Sequence, residues 1–185
     1  MRLFVALDLT QGVRAALQDL LAQLQPAGAD VRWVGPEGMH LTLKFIGEVP
    51  AEKLPAIRAA LGPVTSRRPV DLEVRGLGYF PNERRPRVCW VGVEASENLA
   101  DLAVQVESAL EPLGVKRESR AYVPHLTLGR FKSTNRLARL QEAVAALPST
   151  HFGHVQAKEF VLYQSKLSSR GAEYIKLEGF PFVRG

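Results

Sequence analysis

The sequence predicts an α+β fold of two similar lobes, because one pattern of strands and helices occurs twice along its 185 residues. The letters His-Leu-Thr-Leu stand at 40–43 and return at 125–128, an offset of 85 residues. The same offset, without a gap, superimposes Arg2-Leu3-Phe4-Val5 on residues 87–90. One ungapped offset that aligns both pieces indicates an internal repeat, approximately 1–85 and 86–170.

Each half begins with a short apolar run of strand formers and continues with two helical patterns, one on each side of the histidine segment. The predicted strands are 3–9, 70–79, 88–93, 155–163 and 173–177, and the predicted helices are 13–24, 54–61, 99–110 and 137–147. We expect one bilobal domain over 1–185. Each lobe is a mostly antiparallel sheet with helices on its outer face, and a pseudo-two-fold axis relates the two. The Pro- and Arg-rich stretch 81–86 is the predicted crossing between the lobes.

Composition restricts the class of protein before any motif is considered. Hydrophobic residues make up 46% and charged residues 23%, as in ordinary globular proteins. The sequence has no apolar run near the ~20 residues that span a bilayer, and the short apolar start meets Asp8 at once, so we expect no membrane span and no signal peptide. Cys89 is the single cysteine and cannot form an internal disulfide, which favours a cytoplasmic location and a place in the core. The net charge of +5 favours phosphate-bearing partners.

The repeated motif carries groups suited to acid–base chemistry. Side chains alternate along a strand, so His40 and Thr42 share one face while Leu41 and Leu43 share the other. If the polar faces of the two lobes meet, the cleft holds two imidazoles and two hydroxyls. One imidazole can accept a proton while the other donates one, and the threonines can bind phosphate oxygens. Because the repeat is symmetric, these residues alone leave open which histidine is the acid.

The second motif adds His125 and Thr127 to this cleft, and two cations lie just beyond the motifs, Lys44 and Arg130. Either cation could balance the charge of a bound phosphate, and we also expect Lys44 to contact RNA. Among the aromatic side chains, Tyr79 with Phe80 precedes the basic stretch and is the favoured pair for RNA contacts. Phe45 has the alternation of the leucines, so we expect it in the core.

Other chemistries are less well supported. A lone histidine in a strand is usually structural, but two at matched positions of a repeat favour a function. Zinc needs three or four close ligands, and neither motif has a cysteine or carboxylate, so we expect no metal and no cofactor. His151 and His154 are predicted to lie in a surface loop. The sequence has no Gly-rich nucleotide-binding loop and no serine nucleophile elbow.

The two motifs resemble those of the 2H phosphoesterase superfamily, which is named for paired His-x-Thr/Ser motifs. Within it, the chain is most similar to the RNA 2',3'-cyclic phosphodiesterases, also called 2'-5' RNA ligases. The pieces that carry the resemblance are residues 2–7, 39–47, 86–92 and 124–130, together with the order of Leu162, Ser165, Leu167, Gly171 and Tyr174 in the tail.

The resemblance implies a bilobal fold that hydrolyses an RNA 2',3'-cyclic phosphate to a 2'-phosphate, with His40 as proton donor and His125 as proton acceptor. Thr42, Thr127 and Arg130 hold the phosphate. The reverse reaction joins a cyclic end to a 5'-hydroxyl without ATP. We expect a monomer that acts on RNA ends or short oligonucleotides. Two alternatives stay open: a 2H phosphodiesterase acting on a small cyclic nucleotide or 2'-5' oligonucleotide, and a non-catalytic module that binds RNA or nucleotides.

Overall fold

A computed structural model gives the fold of residues 1–169 and 171–183. The described strands are β1 (Arg2–Leu7), β2 (Val31–Trp33), β3 (Leu41–Glu48), β4 (Val70–Phe80), β5 (Val88–Ala95), β6 (His125–Phe131), β7 (His151–Ala157), β8 (Glu159–Ser168) and β9 (Gly171–Pro181). The described α-helices are α1 (Gln11–Leu24), α2 (Leu54–Leu61), α3 (Asn98–Leu110) and α4 (Leu137–Ala145). All four helices lie where the spacing of apolar residues predicts them.

The strands form two antiparallel sheets, which confirms the predicted α+β class. One sheet has the order β3-β1-β8-β9 and the other the order β2-β6-β5-β4-β7. The two-fold relation is visible where β4 pairs with β7, because Val70 lies opposite Ala157 and Leu72 opposite Val155. Val155 and Ala157 are the repeat equivalents of Val70 and Leu72, so the pairing exchanges equivalent positions.

Local sequence explains the elements that frame the cleft. β1 is apolar and buried from Leu3 to Leu7. The Thr10 side chain then accepts a hydrogen bond from the Val13 backbone N–H and caps α1, which buries one apolar face. The largest group of buried apolar side chains takes members from both sheets and all four helices. Cys89 is fully buried in it, as predicted, and burial raises the pKa of its thiol to about 12.

The lobes exchange strands, which corrects the predicted division into separate halves. β8, from the second half, pairs with β1, while β4, from the first half, pairs with β5 and β7. The stretch 81–86 is therefore not a crossing between lobes; it joins the neighbouring strands β4 and β5 within one sheet. The predicted strand 155–163 is two strands, β7 and β8, that separate at Lys158 as the chain passes from one sheet to the other.

Two further features complete the fold. β2, which the sequence does not predict, adds a short edge strand from the first half to the five-stranded sheet beside β6. Across residues 1–169 and 171–183, none of the helices combines the length and the hydropathy that a bilayer-spanning helix requires.

Candidate active site

The two histidine motifs lie together where the sheets meet. His40 immediately precedes β3 and His125 is the first residue of β6. These two strands belong to different sheets but contact each other. The Tyr122 hydroxyl donates a hydrogen bond of 3.0 Å to the backbone carbonyl of Thr42. This bond links the segment just before the second motif to the first motif. The fold thus brings both predicted motifs to one cleft.

Each imidazole is held by the backbone two residues before it. His125 Nδ1 lies 2.8 Å from the carbonyl oxygen of Val123, and the His40 ring hydrogen-bonds the backbone of Gly38, which is the repeat equivalent of Val123. A carbonyl oxygen only accepts, so the ring nitrogen facing it carries a proton. In neutral His125 this leaves Nε2 as the proton acceptor.

His40 is packed against aromatic side chains of the four-stranded sheet. It is 8% exposed, and its ring contacts the rings of Phe4, Tyr163 and Tyr174 at centroid distances of 5.7, 4.5 and 5.4 Å. These contacts hold the ring in place and separate most of it from bulk water.

Asp8, just after β1, is a charged group beside the outer nitrogen of His40. Its Oδ1 lies 4.0 Å from His40 Nε2 and accepts a hydrogen bond from the Tyr163 hydroxyl. Arg14 Nη2 is 3.6 Å from the same carboxylate oxygen, and Arg14 Nη1 donates to the carbonyl oxygens of Pro36 and Met39 just before His40. Sequence reasoning used Asp8 only to argue against a signal peptide and did not assign it to the site.

These surroundings lower the pKa of His40 to about 4. Burial is the main cause and the positive charge of Arg14 adds to it, while Asp8 and the hydrogen bond to Gly38 act in the opposite direction. His40 is therefore neutral in the free protein at neutral pH. A phosphate anion in the cleft would raise its pKa and favour the protonated form.

We expect this buried histidine to make the fold sensitive to acid. Unfolding restores the pKa of His40 to the ordinary 6.5. Between pH 6.5 and about pH 4 the imidazole therefore binds a proton in the unfolded chain but not in the folded protein. The free energy of unfolding should fall by up to ~3 kcal/mol as the pH falls from 6.5 to 4. Urea unfolding at pH 7 and pH 4.5 measures this loss, which His40→Gln should reduce and the control His154→Gln should retain. Equal losses in all three proteins would contradict the assignment.

His125 has a more open environment. It is half-buried, and its ring stands perpendicular to that of Phe80 at 5.1 Å. Phe80 in turn packs on Trp90, which lies opposite Thr127 in the sheet. The indole lies over Gly78, where a Cβ would come within 2.1 Å of it. Of the predicted aromatic pair, Phe80 is therefore beside the site.

Tyr79, the other member of that pair, points to the opposite face of β4. It packs against the core and the Phe131 ring, and its hydroxyl is buried without a hydrogen-bond partner among residues 1–169 and 171–183. Burial raises the pKa of this hydroxyl to about 12. The expectation that Tyr79 contacts RNA is wrong, because neighbouring side chains of a strand point to opposite faces.

A bulge lies at the last residue of each histidine motif, at the same place in the repeat. Opposite β1, Leu43 is the extra residue between the pairs Ala6–Thr42 and Val5–Lys44. Opposite β5, Leu128 is the extra residue between the pairs Trp90–Thr127 and Cys89–Gly129. An extra residue shifts the alternation of every later side chain by one.

The first bulge exchanges the expected places of Lys44 and Phe45. Lys44 is 6% exposed, and its ammonium bonds Glu107 of α3 at 2.6 Å and the carbonyl oxygen of Lys116 at 2.7 Å. The expected contact of Lys44 with RNA is therefore wrong, because this ammonium is buried on the helix side of the sheet. Phe45, expected in the core, is 62% exposed on the face of Thr42, and its ring lies 6.0 Å from that of Phe4.

The second bulge places Arg130 on the face of His125 and Thr127. Leu128 and Gly129 are both buried, whereas Arg130 is exposed. Only glycine fits at 129, since a Cβ there would lie 2.4 Å from the Val31 side chain. The predicted phosphate-binding set of Thr42, Thr127 and Arg130 thus borders the same cleft as the two imidazoles.

His151 and His154 lie in β7 rather than in the predicted surface loop. Their Nε2 atoms are 2.8 Å from Glu73 and 3.3 Å from Asp71, respectively, on the neighbouring strand β4. In the part of the chain that the structure describes, no three His, Cys, Asp or Glu side chains are grouped so that they could hold a metal ion. These histidines form cross-strand pairs with carboxylates on the surface.

Comparison with known proteins identifies the family. The model of the LigT like Phosphoesterase family matches this chain twice, at residues 7–90 and 91–174. The chain belongs to the LigT-like phosphoesterase family. The two matches divide the chain close to the boundary of the predicted repeat, and they confirm the resemblance seen in the paired motifs.

Relatives of this LigT-like chain extend over its full length. It is 38% identical to the RNA 2',3'-cyclic phosphodiesterase of Archaeoglobus fulgidus, over 97% of this chain and 99% of that protein. It is 36% identical to the protein of the same name from Methanothermobacter thermautotrophicus, over 97% of both.

Solved LigT-like structures share the fold. TT0787 of Thermus thermophilus matches 98% of each chain with a TM-score of 0.80 and 32% identity. E. coli LigT complexed with 3'-AMP matches with a TM-score of 0.79 and 28% identity, over 99% of this chain and 98% of that one.

Proposed function

We propose that this protein hydrolyses the 2',3'-cyclic phosphate end of an RNA to a 2'-phosphate and a 3'-hydroxyl. The observation that carries the proposal is the placement of His40 and His125, two imidazoles at matched positions of a repeat, in one cleft and each held by a backbone carbonyl. Relatives that match the full chain and bear the name RNA 2',3'-cyclic phosphodiesterase support the same substrate.

In the proposed reaction, His125 Nε2 takes a proton from water as the water oxygen attacks phosphorus. The bond from phosphorus to the 3' oxygen breaks, and His40 gives its proton to that oxygen. One P–O bond forms and one breaks, and the 2' oxygen keeps the phosphate. Asp8 favours the protonated imidazole, but burial and Arg14 outweigh it in the free protein, so the role of His40 as the acid requires the negative charge of the bound phosphate to raise its pKa.

The phosphate is held between the imidazoles by the groups that border the cleft. The hydroxyls of Thr42 and Thr127 can donate to its non-bridging oxygens, and Arg130 can bind two of them with its planar fork. Fixing the ester in line with both imidazoles lowers the entropic part of the barrier. The exposed ring of Phe45 offers a surface on which the terminal base can stack.

The same groups support ligation, in which another nucleophile replaces water. If the 5'-hydroxyl of a second RNA takes the place of water at His125, the product is a 2'-5' phosphodiester, formed without ATP. Proton transfer by two imidazoles needs no further cofactor, and we expect turnover in the presence of EDTA. We further propose that the protein acts as a monomer in the cytoplasm, where its free, buried Cys89 suits a reducing environment.

An assay of products separates this function from the two alternatives. A short RNA with a 2',3'-cyclic phosphate end is incubated with the protein and EDTA, beside a small cyclic nucleotide and a 2'-5' oligonucleotide. We expect the RNA to be converted to its 2'-phosphate with the highest kcat/KM of the three. Preferred turnover of another substrate would favour a different 2H phosphodiesterase. Binding of RNA without turnover of any substrate would favour a non-catalytic module.

A further inference from the structure

A second arginine lies directly beside Arg130. In the pairing of β2 with β6, Arg32 is opposite Arg130, and both side chains are exposed. The neighbours of Arg32 in β2, Val31 and Trp33, point to the other face, where they enclose Gly129. Because side chains alternate along β2, Arg32 is on the cleft face together with Arg130.

This arginine pair has no internal counterion among the described residues. Like charges directly opposite in antiparallel strands are destabilising. The described arginine ion pairs are formed by other residues, namely Arg14, Arg58, Arg75 and Arg117. Asp30, the nearest acid in sequence to Arg32, accepts a hydrogen bond from Ser133. An anion that binds between the two guanidinium groups would remove the repulsion.

The position of Arg32 relative to the second histidine motif indicates which anion binds between the two arginines. His125, Thr127 and Arg130 follow one another along β6 and border the proposed site of the cyclic phosphate. Arg32 lies one strand farther out, ~5 Å from Arg130 at the backbone. In an RNA the terminal nucleoside carries a second phosphate on its 5' oxygen, and a free nucleoside cyclic phosphate lacks it.

We propose that Arg32 binds the phosphate on the 5' side of the terminal nucleoside, so that the site prefers an RNA chain to a nucleoside 2',3'-cyclic phosphate. The inference rests on the proposed function and adds a second phosphate contact to it. Arginine suits this contact because its fork matches the geometry of phosphate oxygens.

The test compares three substrates with the same terminal nucleoside. They are the nucleoside 2',3'-cyclic phosphate, a dinucleotide ending in that group, and the dinucleotide with an uncharged methylphosphonate in place of its internal phosphate. Each is measured with wild type, with Arg32→Gln, and with the control Arg139→Gln on the exposed side of α4. The readout is the ratio of kcat/KM for each dinucleotide to kcat/KM for the nucleoside 2',3'-cyclic phosphate.

We expect Arg32→Gln to lower the ratio for the phosphate dinucleotide roughly tenfold, the size of one charge-assisted contact. The methylphosphonate should lower the wild-type ratio by a similar factor, and the two changes together should not add, because they remove the same contact. Arg139→Gln should behave as wild type. An unchanged ratio in Arg32→Gln, or fully additive effects, would overturn the proposal.

Two further readouts separate binding from a structural role. Arg32→Gln should leave the melting temperature equal or higher, since it removes a like-charge pair, and should reduce the salt dependence of RNA binding by about 0.7 in the log–log slope. A lower melting temperature with an unchanged salt slope would assign Arg32 to the fold instead. If the wild-type protein hydrolyses neither the nucleoside 2',3'-cyclic phosphate nor the phosphate dinucleotide, the proposed function itself is wrong.

Discussion

Either single replacement, His40→Ala or His125→Ala, should lower kcat on an RNA 2',3'-cyclic phosphate by ~10²–10⁴-fold. Each removes one of the two proton transfers, and water in the cleft replaces neither at comparable efficiency. The double replacement should cost little more than a single one, because the two imidazoles act in one step. The measurement is steady-state hydrolysis at saturating substrate.

The control for this experiment is His154→Ala, which removes an exposed histidine paired with Asp71 outside the cleft. It should keep the wild-type rate. Urea unfolding at pH 7 should show that all variants are folded. Near wild-type turnover by either His40→Ala or His125→Ala would rule out the two-histidine mechanism.

Arg130→Ala is expected to lower kcat by ~10²–10³-fold, the range for loss of a donor that stabilises developing charge. The bulge at Leu128 turns Arg130 to the face of His125 and Thr127, where its guanidinium can neutralise the phosphate as the attacking water adds negative charge. Arg130→Lys keeps the positive charge but loses the planar guanidinium that can bind two phosphate oxygens. Its kcat should therefore lie between that of Arg130→Ala and that of the wild type.

The matched control is Arg139→Ala, which removes an exposed arginine from α4 on the helical side of the fold. Steady-state kinetics should show the effect of Arg130→Ala mainly in kcat, because the contact strengthens as charge develops. If Arg130→Ala and Arg139→Ala have the same kcat and KM, Arg130 does not contact the reacting phosphate.

The cleft could be predicted because the histidine motif occurs in both halves of the internal repeat. The 85-residue offset and the alternation of His, Leu, Thr and Leu place the imidazoles and hydroxyls on one face of each motif, as the structure shows. Plain alternation fails at the next residues, since one extra residue in each strand reverses the parity of Lys44, Phe45 and Arg130. A signal was present, because a charged Arg130 at the parity of buried leucines itself indicates a bulge.

The exchange of strands could not be predicted from periodicity. Periodicity reports which face of β4 or β8 is buried but not which strand lies beside it, and both strands pair outside their own half. The environment of His40 also depends on distant parts of the chain, because Tyr163 lies in β8 and Asp8 just after β1. Only the folded arrangement gives this histidine its lowered pKa.

The most direct test of the central claim is the pH dependence of kcat/KM for hydrolysis of an RNA 2',3'-cyclic phosphate. An acid and a base that act together predict a bell-shaped profile with two apparent pKa values that belong to the pair. The residual activity of His40→Ala and of His125→Ala should each follow only one titration. A flat wild-type profile from pH 5 to 8 would contradict paired catalysis by His40 and His125. A profile that still falls at both low and high pH in His40→Ala or in His125→Ala would contradict it as well.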